Sequence, residues 1–191
     1  MKTNLGFAIT GSFCSHQTIL NILTKLSKKF NIIPIISQSV KETDTRFGNA
    51  KIFVKNVEKI CKNSVISRIT EAEPLGPNNK IDILLIAPCT GNTLAKLANG
   101  LTDGAVTMAA KSHTRNNKPV VVAISSNDAL GLNAFNLAKL LNQKNYFFVP
   151  FLQDDFEKKP KSLVANWESI EATINEALLG KQIQPLLAIR S

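Results

Sequence analysis

The amino-acid sequence points to an α/β fold: a Rossmann-like, doubly wound parallel sheet in a single domain. Short apolar runs alternate with stretches whose apolar residues recur at helical spacing, which is the pattern of strand–helix–strand units. Residues 81–87 are nearly all apolar, as a strand covered on both faces must be. A chain of 191 residues, 44% of them hydrophobic, is long enough to bury one sizeable core without disulfides or metal.

Each element has its own signal. Residues 5–9 read as a strand. Ile19, Ile22, Leu23 and Leu26 then fall at i, i+3, i+4 and i+7, one face of a helix. Residues 32–36 are a second strand, and Phe53, Val57, Ile60 and Cys61 stripe the next helix. The third strand, 81–87, is expected to end at Pro88. Residues 90–101 follow as a helix, with Leu94, Leu97, Ala98 and Leu101 on one face. Residues 120–124 make a fourth strand, Ala134, Leu137, Ala138 and Leu141 a helix, and residues 146–149 a fifth strand. Residues 151–161 carry many charges and read as a surface loop. Trp167, Ile170, Ile174 and Leu178 mark a last helix, ended by Gly180. The domain is expected over 1–180, with residues 181–191 as a tail.

Composition narrows the function classes. Lys and Arg number 23 against 14 Asp and Glu, a net charge of +9, which raises nucleic acid as a partner. The basic residues do not cluster, however, and no Lys/Arg run exceeds two. The expectation is no nucleic-acid role, with a basic surface left to attract an anionic substrate. No apolar stretch is long enough to cross a membrane. Residues 1–6 run straight into a strand, unlike a signal peptide. Cys14, Cys61 and Cys89 form no C-x-x-C pair, and an odd, sparse set suggests a reducing cytoplasm.

Ligands of open parallel sheets bind outside the carboxyl ends of the strands, so the residues there matter most. After the first strand come Thr10, Gly11, Ser12 and Phe13. Such a turn offers backbone N–H groups to a phosphate, and the Ser12 hydroxyl either adds a donor or caps the helix. No G-x-G-x-x-G and no Walker A loop occur, so NAD and ATP are not expected in their usual seats. A mononucleotide, with one phosphate, still fits. Only His16 and His113 are present, without a metal-ligand spacing, so no metal is expected. His16 follows the first turn and reads either as a group near the ligand or as a solvated helix-end residue. After the third strand, Thr90, Asn92 and Thr93 cluster beside Gly91 at a helix start, where capping needs only one of them.

The segment from Ala87 to Asp103, A-P-C-T-G-N-T-L-A-K-L-A-N-G-L-T-D, resembles the signature of the FMN-binding cysteine-decarboxylase type of flavoprotein. Thr10-Gly11-Ser12 resembles the phosphate loop of that family. The resemblance implies the flavoprotein fold, FMN as cofactor, and a homo-oligomer built as a trimer or a multiple of trimers. It implies cofactor contacts from Gly11, Ser12, Phe13, Ser37, Thr90, Asn92 and Thr93. Further segments resemble one branch of the family: T-D-T-R-F-G from Thr43, A-E-P-L-G-P from Ala72, M-A-A-K from Met108, and S-N-D-A-L-G-L-N from Ser126. That branch is one component of a two-component synthase of an aromatic pyridine dicarboxylate, made for the spore core. A partner carrying NAD(P) on its own dinucleotide-binding domain is thereby implied.

Two departures bear on mechanism. The decarboxylases place a catalytic His after the second strand, and residues 37–48 hold none. Their P-A-M-N clamp is replaced by Ser125-Ser126-Asn127-Asp128. Decarboxylation by the family mechanism is therefore not expected, and the resemblance to the branch implies oxidation of a dihydro dicarboxylate instead. Two carboxylates call for cationic partners, and Arg46, Lys111 and Arg115 are the candidate substrate contacts, with Asn127 a candidate for a retained amide contact. Lys111 and Arg115, four apart, share a helix face, where they read equally as a solvated helix end. Asn127 and Arg46 are the catalytic candidates. A non-catalytic scaffold and a free-standing FMN decarboxylase or prenyltransferase are the alternative readings.

Overall fold

A computed structural model describes residues 2–78 and 80–188. The chain winds through β1 (Asn4–Ile9), α1 (His16–Ser27), β2 (Asn31–Ile36), α2 (Gln38–Glu42), α3 (Ala50–Cys61), α4 (Ile69–Ala72), β3 (Ile83–Cys89), α5 (Gly91–Ala98) and α6 (Ala105–Arg115). It continues through β4 (Val120–Ser126), α7 (Ala134–Leu141), β5 (Tyr146–Phe148), β6 (Phe151–Gln153), β7 (Leu163–Ala165) and α8 (Ile170–Leu178). The sheet has seven strands. β2, β1, β3, β4 and β5 are parallel neighbours in that order. Winding reverses between β1 and β3, and the crevice at such a reversal is where open sheets receive ligands.

The period of two along each strand decides which helices cover which face. Leu5, Phe7 and Ile9 of β1, Ile83 and Leu85 of β3, and Val121 and Ala123 of β4 pack with α1, α3 and α8. Ala8, Leu84, Ile86, Val120, Val122 and Ile124 face the other way, against α5, α6 and α7. Both faces are thus buried, which is why the strands read as continuous apolar runs.

Three expectations about elements are corrected. Pro88 does not end β3, which runs on to Cys89. The register to β4 shifts between Ile86 and Cys89, so the missing proline N–H falls where the ladder is already irregular. Residues 151–161 are not all loop, because Phe151–Gln153 pairs antiparallel with Leu163–Ala165, which in turn pairs with Ser125 and Ser126 of β4. Strands of three residues are too short to show a period. Trp167 lies in a 3-10 turn, Trp167–Ser169, just before α8. Gly180, with φ +72, follows the end of α8. Its N–H donates to Ala177 O, and that of Lys181 to Glu176 O, the double closure that frees a helix C-terminus from orphan carbonyls. Residues beyond it return to the sheet, where the Gln182 side chain donates to Phe148 O and accepts from Phe148 N.

Candidate functional site

The carboxyl ends of β1, β2 and β3, with the starts of α5 and α6, surround an open groove of about 500 Å³. Thr10 organises it. Buried at the end of β1, its hydroxyl donates to Pro88 O at 2.7 Å and accepts from Thr90 N–H at 3.1 Å. The turn after β1 and the turn after β3, eighty positions apart, are thereby locked together. Thr90 caps α5, accepting from Thr93 N–H at 3.3 Å. Capping is thus done by one residue. The Asn92 side chain has no hydrogen-bond partner among the described residues and lines the groove. As the first two residues of α5, Gly91 and Asn92 also carry backbone N–H groups without an acceptor inside the helix.

Gly91 is glycine for a steric reason. A Cβ there would stand 2.7 Å from Asp128 Oδ1, 2.7 Å from Ser126 Oγ and 2.8 Å from Asn133 Nδ2. The start of α5 therefore rests directly on the loop after β4. That loop is itself cross-linked: Ser126 Oγ donates to Asp128 Oδ1 at 2.6 Å, and Asn133 Nδ2 to Asp128 Oδ2 at 2.8 Å.

The structure brings Gly11, Phe13, Ser37, Thr90, Asn92 and Thr93 to one groove, together with Gln38, Ser39, Lys96, Asp103 and Thr107. The Ser12 hydroxyl is occupied elsewhere. It pairs with Ser125 Oγ at 2.7 Å, tying the turn after β1 to β4 rather than capping the short helical turn that follows. Ser37 caps α2. Lys96 donates to Asp103 at 2.8 Å, and its ammonium holds the Asp103 carboxyl below the usual range. Lys96 and Asp103 fall inside the signature segment, whereas nothing in the sequence singles out Thr107, Gln38 or Ser39.

The other candidates lie apart from this groove. Arg46 is exposed in the loop after α2, its guanidinium 4.9 Å from the centre of the Phe47 ring. Asn127 is exposed on the loop after β4. Lys111 and Arg115 do share a face of α6, where with Met108 and Glu73 they line a separate groove of about 220 Å³. Lys111 also borders a third groove, of about 320 Å³, between α5, α6 and α7.

His16 is half-buried rather than free. Its ring stacks on Phe53 with centroids 4.2 Å apart, leans on Phe13 at 5.1 Å, and brings Nε2 within 3.3 Å of Thr10 O. Burial lowers its pKa below the ordinary imidazole value, against a smaller opposing effect of the Thr10 backbone. Cys89 is fully buried, and burial pushes its thiol up, away from the reactive thiolate. Among the described residues no cluster of three His, Cys, Asp or Glu could hold a metal ion. None of their helices is long and apolar enough to cross a membrane.

A doubly wound sheet with an open groove at its switch point defines a class, and the chain belongs to the Flavoprotein family, which it matches over residues 1–179. Within it the chain is 46% identical over 184 residues to the B subunit of dipicolinate synthase of Bacillus subtilis, covering 96% of this chain and 92% of that one. The crystal structure of the dipicolinate synthase B subunit from Bacillus halodurans superposes with a TM-score of 0.90 at 40% identity, over the whole of both chains. The FMN-dependent cysteine decarboxylase SpaF shares the fold, with a TM-score of 0.67 at 18% identity over 92% of this chain and 97% of that one.

Proposed function

We propose that this chain is the flavin-binding component of a dipicolinate synthase, which oxidises a dihydrodipicolinate-type precursor to dipicolinate during sporulation. The observation that carries the cofactor is the groove itself. Its glycine turn, its hydroxyls and the free Asn92 amide suit one phosphate and a ribityl chain, and its volume of about 500 Å³ lies within the range of small-ligand pockets. Gly11, Ser37, Thr90, Asn92 and Thr93 would hold FMN, with Phe13 against its apolar part and Ser12 acting through its backbone. FMN supplies a hydride acceptor when bound. The protein's part is to bind, orient and exclude water. Aromatisation of the precursor also releases a proton. Among the described residues lining the groove, the only acid–base pair, Lys96 and Asp103, is mutually neutralised.

The relative from Bacillus subtilis is named as the B subunit of its enzyme, which supports a second polypeptide. We assign that partner as the dipicolinate synthase A subunit, dinucleotide-binding and holding NAD(P), because this chain lacks the fingerprint for a dinucleotide. A homo-oligomer, a trimer or a multiple of one, and a cytoplasmic location complete the reading. Of Arg46, Lys111, Arg115 and Asn127, only Lys111 borders a groove that adjoins the flavin groove. A second reading is a flavin-free scaffold, favoured by the absence of an unpaired acid or base among the described groove residues. The visible absorption spectrum of the purified chain decides between them. Bound flavin, or saturable uptake of added FMN in calorimetry, is expected. A colourless protein that takes up no FMN refutes the cofactor. Dipicolinate formation is expected only when the dinucleotide-binding partner is added, and turnover by the isolated chain refutes the partner requirement.

A further inference from the structure

The third groove, between α5, α6 and α7 at the start of β5, carries an uncompensated charge. Lys96, Lys111 and Lys139 line it, with the hydroxyls of Thr102, Thr114 and Tyr146, and no carboxylate among the described residues does. Lys96 is answered by Asp103. Lys111 and Lys139, both exposed, have no ion-pair partner among the described residues, so two unpaired lysines line one space of about 320 Å³.

Lys139 is exposed, and its ammonium stands at the end of a series of side-chain amides. Its ammonium donates to Asn99 Oδ1 at 3.4 Å, and Asn99 Nδ2 donates to Asn136 Oδ1 at 3.1 Å. Asn136 Nδ2 donates to Asn133 Oδ1 at 2.9 Å, and Asn133 Nδ2 to the Asp128 carboxylate at 2.8 Å. Every donor in this series points the same way, from the ammonium towards the carboxylate, so each bond polarises the next. The series ends at the Asp128 carboxylate against Gly91, at the start of α5. Burial pushes the Tyr146 phenol up to about 12, which keeps it a neutral donor. The groove also shares Lys96 and Thr107 with the flavin groove, so a ligand in one lies beside a ligand in the other.

We propose that this groove binds the dicarboxylate, with Lys111 and Lys139 each meeting one carboxylate and Tyr146 donating a further hydrogen bond. The identity of the acid rests on the flavin-binding reading above; the anion site does not. Calorimetric titration of the purified full chain with pyridine-2,6-dicarboxylate tests it, with pyridine-2-carboxylate and inorganic phosphate in parallel. The dicarboxylate is expected to bind at least about tenfold more tightly than either control, since pyridine-2-carboxylate offers one carboxylate for two lysines and phosphate holds its charge on a single centre. Lys139→Met and Lys111→Met are each expected to weaken it about tenfold or more and Tyr146→Phe several-fold, with melting temperature and FMN affinity unchanged. Dicarboxylate affinity unchanged in both lysine variants overturns the proposal. So does binding abolished by Arg46→Ala or Arg115→Ala but retained in the lysine variants, or a wild-type chain that takes up FMN and no dicarboxylate. Dicarboxylate binding that depends on the lysines, in a chain that takes up no FMN, sustains this site and refutes the flavin.

Discussion

His113 makes the stability of this protein depend on pH in a window that carboxylates do not reach. It sits in the last turn of α6, 2% exposed, and its Nε2 has no hydrogen-bond partner among the described residues. Burial, with the Lys118 ammonium second, pushes its pKa down from 6.5 to about 4, against smaller opposing effects of the Pro119 backbone and Asp82. Below pH 6.5 the unfolded chain therefore takes up a proton that the folded chain refuses. Stability is complete above about pH 6.5, falls as pH drops towards 4, and levels off below that. The shift of about 2.5 units corresponds to about 3 kcal/mol, at 1.36 kcal/mol per unit. Replacement by His113→Leu keeps the site apolar and removes the titration. Urea unfolding followed by Trp167 fluorescence at pH 7.5, 6.5, 5.5 and 4.5 measures it. The wild type is expected to lose most of that 3 kcal/mol across the series, and the variant to lose correspondingly less. His16, also lowered by burial, contributes with the same sign, so His16→Gln serves as the parallel control. Glu71 and Asp103, both held below their ordinary values, lose their contributions only at more acid pH. Parallel pH profiles for wild type and His113→Leu would refute the assignment.

The remaining expectations concern the groove. Gly91→Ala must displace Asp128, Ser126 and Asn133, an overpacking that costs about 1–3 kcal/mol; a melting temperature equal to wild type would show that the loop after β4 yields freely. Asn92→Ala should weaken FMN about fivefold, the loss of a hydrogen bond of about 1 kcal/mol, and leave thermal stability alone because the side chain has no partner within the described protein. An unchanged FMN dissociation constant would remove Asn92 from the cofactor contacts. Thr10→Val keeps the shape but leaves Pro88 O and Thr90 N–H unpaired, which should cost about 1–3 kcal/mol in chemical denaturation. No loss there would mean that water or the backbone replaces the hydroxyl.

The layers are written in local pattern. Strands covered on both faces read as continuous apolar runs and helices as apolar residues at helical spacing, and both signals are local, so five strands and five helices are legible without any knowledge of contacts. The start of α5 is marked as well, because Thr90, Gly91, Asn92 and Thr93 are more small polar residues than a cap requires. What stays open depends on residues far apart in the chain. Whether Ser12 caps a helix or reaches Ser125, 113 positions on, is decided by where the sheet places β4. Thr10 is marked as part of the first turn, but its bonds to Pro88 O and Thr90 N–H exist only once β1 and β3 become neighbours. Phe151–Gln153 and Leu163–Ala165 are too short for any period, and they are strands only because each has an edge to pair with. Lys139 reads as an ordinary exposed helix residue. Only the packing of α7 against α5 sets it at the end of a series of asparagine amides and on the lining of a groove that Lys111 also borders. Hydrogen bonds and charge pairing act over a few ångströms of space, whereas a sequence pattern reports only a few positions of chain. Elements could therefore be read from the sequence alone, but the way their side chains combine into a site could not.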